Sequence, residues 1–99
     1  MNATANTLVV PSDLDLQGRR DFLAAAAEVV SRVASGGGTH LTLDCSNVET
    51  IEDPFASTLT VLARNAHRFG LRVRLDMPSV RLRQDMNDLG IAAMFIWPD

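Results

Sequence analysis

The stretch Leu41-Thr42-Leu43-Asp44-Cys45-Ser46-Asn47-Val48-Glu49-Thr50-Ile51-Glu52-Asp53-Pro54-Phe55 decides the fold. Leu41, Leu43 and Cys45 alternate with His40, Thr42 and Asp44, so Thr39 to Cys45 is predicted as a strand with one apolar face. Ser46-Asn47 makes a turn, and Val48 and Ile51 lead to a helix start. Asp53 is expected as the N-cap, with Pro54 at the first helical position, where its missing N–H costs nothing. Phe55, Leu59, Leu62, Ala66 and Phe69 then recur as a helical stripe that Gly70 stops. The apolar period changes from that of a strand to that of a helix across one short loop.

Working outward, the same unit repeats. Leu71, Val73 and Leu75 alternate with Arg72 and Arg74, giving a strand after that helix. Met77-Pro78-Ser79 turns into a third helix whose Leu82, Met86 and Leu89 share a face, ended by Gly90. Ile91 to Phe95 adds a helical turn, and Ile96-Trp97 closes as a strand. Upstream, Gly18 to Ala34 is a helix with Phe22, Ala26, Val29 and Val33 on one stripe, widened by Leu23 and Val30. Gly36-Gly37-Gly38 ends it. Asp13-Leu14-Asp15-Leu16 alternates as a short extended piece, and Leu8-Val9-Val10 before Pro11 is an edge strand. Met1 to Asn6 is expected to be a flexible tail. The order implies an α/β fold: a small mixed, mainly parallel sheet covered by three to four helices, joined by right-handed crossovers.

Composition narrows the function classes. The 99 residues fit one domain, and 46% apolar with 21% charged residues is an ordinary globular balance. No charged segment followed by an apolar run opens the sequence, and no run approaches the ~20 residues that cross a bilayer. Neither secretion by a standard signal nor membrane insertion is expected. One cysteine, Cys45, excludes an internal disulfide and points to a reducing compartment. A net charge of −3 speaks against nucleic acid as a partner.

Chemistry is sparse. The glycine triplet follows a helix and lacks a following Gly-Lys-Ser/Thr, so it is no phosphate loop. His40, His67 and Cys45 have no metal-motif spacing, so neither metal nor cofactor is expected. Glu49, Glu52 and Asp53 cluster at a helix start, where negative charge is favoured by the helix dipole. Arg64 and Arg68 stand one turn apart, and Arg72 and Arg74 share a strand face. Those four offer a phosphate-binding patch or simply solvated faces.

Leu41-Thr42-Leu43-Asp44-Cys45-Ser46-Asn47-Val48, with Ile51 and the helix after it, resembles the STAS domain, named for sulfate transporters and anti-sigma factor antagonists. Leu14-Asp15-Leu16, Gly70 before Leu71-Arg72-Val73-Arg74-Leu75, and the pattern of Leu82, Leu89-Gly90-Ile91 and Phe95 fall where that family has them. The resemblance spans roughly residues 8 to 97 and implies a single STAS-like domain over 7–99. It further implies a non-catalytic, cytoplasmic bacterial module for signal transduction and transcription regulation by partner switching. The expected partner is an anti-sigma kinase or a stressosome-type assembly, met through the loop Asn47 to Pro54 and the start of the second long helix. The small STAS subunit of a bacterial ATP-binding-cassette lipid transporter is the alternative. A nucleotide or small-ligand sensor using the four arginines is a third, and a homodimer fits any of them.

At the family's signature turn the sequence departs. Aligned back from Gly70, Asp53 takes the place of the phosphorylatable Ser; a one-residue slip puts Pro54 there. Asp53 supplies one charge where a phosphate carries about −1.5 to −2. It acts either as a permanent partial mimic or only as a helix cap. Ser57 and Thr58 are candidate substitute phosphoacceptors, or small helix residues bonded to their own backbone. Asp44, Ser46, Glu52, Asp53, Phe55 and Ser57 make up the expected partner-binding region, with Phe55 fitting either the core or an interface.

Overall fold

Three parallel strands in the order β1-β2-β3 form the sheet of the computed structural model, which describes residues 6–98. β1 is Thr7–Val9, β2 is His40–Asp44 and β3 is Arg72–Asp76. Helices α1 (Leu16–Ser35), α2 (Asp53–Arg68) and α3 (Val80–Asp88) follow the strands in turn. All described pairings are parallel, with Leu8 opposite Leu43 and Leu43 opposite Leu75. The expected tail over 1–6 falls outside the described residues except for Asn6, whose carbonyl accepts from the Thr42 N–H at 2.9 Å.

Each crossover steps to the next strand in the same direction, which for right-handed connections places the helices on one face. Burial agrees. Leu41, Leu43, Val73 and Leu75 are buried toward the helices, whereas Arg72, Arg74 and Asp76 on the alternate positions are exposed. The buried side chains of sheet and helices form one cluster. It includes Cys45, whose thiol pKa is pushed up to about 12 chiefly by burial. Among the described residues no helix is long and apolar enough to cross a membrane.

The three helices end alike. In α2, Gly70 N–H donates to the His67 carbonyl and Leu71 N–H to the Ala66 carbonyl, each at 3.0 Å, the paired bonds of a Schellman cap. Gly37, Gly70 and Gly90 occupy the equivalent positions at φ 81°, 78° and 76°, a region glycine enters without steric cost.

Four expectations change. Asp13–Leu16 forms no strand: Asp15 is the α1 N-cap, its carboxylate accepting from Gly18 N–H at 2.7 Å. Leu14 is buried while Leu16 begins the helix, so the alternation reflects a capping segment. The α2 cap falls on Glu52, in extended backbone and without a side-chain hydrogen bond, so Asp53 is a first-turn acid. Phe69 and Leu89 stand 54% and 37% exposed instead of on the core stripe. Both are C-cap residues, where the backbone leaves the helical track before the glycine. The closing strand reduces to a single bridge, Arg74 to Ile96, after a 3-10 turn at Ala92–Met94.

Candidate functional site

The loop between β2 and α2 is fixed at both ends by burial and from behind by α3. Asp44 accepts from the Ser46 N–H at 2.9 Å, and Val48 N–H closes a turn on the Cys45 carbonyl at 3.0 Å. Val48 and Ile51 are buried, which leaves Glu49, Thr50 and Glu52 facing solvent. Ser79, the N-cap of α3, accepts from Leu82 N–H and donates to the Glu49 carbonyl, both at 2.9 Å. Six residues further along α3, the Asp85 carboxylate accepts from the Thr50 hydroxyl and from the Ile51 N–H at 3.2 Å. The loop is thereby stapled to α3 at three successive residues.

Two of the expected site residues meet in one hollow. Glu52 and Asp53, with Pro54, line a shallow cleft of about 540 Å³ whose other wall is Asp85, Asp88 and Leu89. Ser57 is exposed and shares the adjoining hollow with Asp53 and Arg64. Asp44 and Ser46 bond to one another and line neither hollow. Phe55 and Thr58 point inward at 8% and 4% exposure, and the Thr58 hydroxyl donates to the Pro54 carbonyl at 2.9 Å. Among the described residues no three acid, His or Cys side chains are placed to hold a metal.

The four arginines do not form one patch. Arg64 and Arg68 line the groove between α1 and α2, whereas Arg72 and Arg74 stand on the sheet face turned away from the helices. A ligand held by all four together has no place to bind, which corrects that part of the sensor expectation.

Asp85 escaped the sequence reading because nothing local marks it; its partners lie 35 and 34 residues upstream. The Thr50 hydroxyl and Ile51 N–H hold its carboxyl below the usual value of 3.8, and Ser46 does the same for Asp44. A carboxylate whose pKa is depressed by folding contributes stability that is fully present above the unfolded value. That contribution is lost as pH falls through the lower folded value. Urea midpoints are therefore expected to fall from about pH 4 downward, and by less in Asp85→Asn. An equal fall in both proteins would remove Asp85 from this role.

Residues 1–96 match the family described as "Mlab, STAS domain". A search of curated proteins found no significant match. STAS domains are in general non-catalytic regulatory modules that interact with other proteins. The parallel three-stranded sheet, the one-sided helix layer and the match over residues 1–96 agree, and the chain belongs to the STAS domain family.

Proposed function

We propose that this chain is a non-catalytic cytoplasmic docking module that holds a protein partner on the loop Asn47 to Pro54 and the first turns of α2, without a phosphate switch. One observation carries the reading. The exposed helix start presents two carboxylates, Glu52 and Asp53, on a loop braced by Ser79 and Asp85, and neither Asp53 nor Pro54 offers a hydroxyl. The brace keeps the surface preformed, which lowers the ordering cost of binding. The permanent negative charge favours a basic partner surface.

A serine kinase of the anti-sigma type needs an acceptor hydroxyl at this turn. An ATP-binding-cassette subunit needs only a complementary surface. The missing hydroxyl favours the transporter-subunit reading over partner switching, and Ser57 is the exposed residue through which a kinase reading survives. Tagged chain recovered from its native host separates them: an ATP-binding-cassette subunit supports the first, a histidine-kinase-like ATPase the second. Binding of the recovered partner to Glu52→Arg/Asp53→Arg is expected to weaken about tenfold or more. Unchanged binding would move the interface elsewhere. With a kinase partner, Asp53→Ser taking up phosphate identifies position 53 as the lost acceptor.

A further inference from the structure

The outward ridge of α2 carries a charge order that fits a second copy of itself. At about 100° per residue, Asp53, Ser57, Val61, Arg64 and Arg68 fall within about 80° of arc. All five are exposed, and Val61 is a large apolar side chain 53% exposed at the middle of the helix. Acid stands at the N-terminal end and two guanidiniums at the C-terminal end. Among the described residues neither Arg64 nor Arg68 has an ion-pair partner.

We propose that two copies of the chain pair through α2, antiparallel about a two-fold axis between Thr60 and Val61. In that register Asp53 lies opposite Arg68 of the other copy and Ser57 opposite Arg64, while Thr60 and Val61 meet across the axis. Each of these pairs is centred on the same point of the helix, so one rigid rotation makes them all. A two-fold interface makes every contact twice, giving two Asp53–Arg68 ion pairs and two Ser57–Arg64 hydrogen bonds. The parallel arrangement sets acid on acid and arginine on arginine, so charge selects the antiparallel one.

The ridge is flanked by grooves that a facing helix can enter. On one side Leu23, Ala27 and Leu62 floor an open groove of about 700 Å³ against α1; on the other Leu89 and Ile91 border a hollow of about 440 Å³. α2 is 16 residues long, about 24 Å at 1.5 Å per residue. One such face buries less than the ~800 Å² per partner of a standard interface, so the dimer is weak, reversible and salt-sensitive. It also covers Asp53. Resting on the docking reading above, pairing and partner binding therefore exclude one another at that residue.

Sedimentation equilibrium of the purified chain over a concentration series tests this. The wild type is expected to be a monomer–dimer mixture that shifts toward monomer with added salt. Arg64→Glu/Arg68→Glu, with an acidic ridge, and Asp53→Arg, with a basic one, should each dimerise at least about tenfold more weakly. Mixing these two variants should restore a dimer containing one of each. Val61→Glu, which spares every charge pair, should also weaken it. A wild type that stays monomeric to its solubility limit overturns the proposal. So does a dimer that none of these substitutions weakens, because another surface would then join the copies. Neither outcome touches the docking reading, which fails only if the partner binds Glu52→Arg/Asp53→Arg normally. With both in hand, the partner should convert dimer to monomer; a partner that binds the intact dimer overturns the exclusion.

Discussion

Phe55→Ala is expected to cost about 3–5 kcal/mol of folding stability and to lower the melting temperature by about 12–40 °C. The ring is 8% exposed and belongs to the cluster that the sheet and helices share. It sits in the first turn of α2, where it holds the helix start against the core while its neighbours Glu52, Asp53 and Pro54 face outward. Truncation leaves a cavity beneath the loop and loosens the brace from within. Urea denaturation measures the loss. A surface anchor would instead leave stability within about 0.5 kcal/mol and reduce partner binding alone, and that result would return Phe55 to the interface.

Thr58→Glu and Ser57→Glu are expected to behave oppositely although the residues are adjacent. At position 58 the new carboxylate has no counter-ion and takes the place of a 4% exposed side chain bonded to the Pro54 carbonyl. An uncompensated buried charge costs about 3–5 kcal/mol, enough to threaten a domain of this size. At position 57 the side chain faces solvent near a helix N-terminus, where added negative charge is tolerated, and the change should stay within about 0.5 kcal/mol. Thermal melts followed by far-ultraviolet circular dichroism separate the two. The result bears on regulation, since a phosphate on Thr58 requires α2 to open and one on Ser57 does not. Equal losses in both variants would contradict the burial on which the distinction rests.

The elements were legible where one periodic signal met a glycine stop. Leu41 and Leu43 with Val73 and Leu75 give the strands, and Phe22, Ala26 and Val29 or Leu59, Leu62 and Ala66 give the helices. Legibility failed at boundaries, which depend on backbone angles that composition does not carry. Glu52 and Asp53 are both acids, and only the extended dihedrals of Glu52, φ −117° and ψ 173°, decide which one caps. Phe69 and Leu89 continue an apolar count but lie where the helix has ended. The site was half legible. A loop and helix start rich in acid stands out in one dimension, whereas Asp85 and Ser79 become part of it only once α3 folds back. Of the two readings the four arginines allowed, a single patch fails and solvated faces fit, because a helix and the strand after it show them to opposite sides of the molecule.

The strand order described above also sets how the molecule can be assembled. Because β1, β2 and β3 lie side by side in the order in which the ribosome makes them, each new strand finds its partner already synthesised. No strand has to be held open for a later one to insert, so the chain can build by accretion from its N-terminal end. Each closure among the described residues spans one helix and its loops, at separations of 35 residues for Thr7 to Thr42, 32 for His40 to Arg72 and 22 for Arg74 to Ile96, which keeps the loop-closure cost similar from step to step. The last increment, Ile96 against Arg74, is a single bridge. Fraying, exchange of amide hydrogens and proteolytic nicking are expected to begin there and to work backward toward β1.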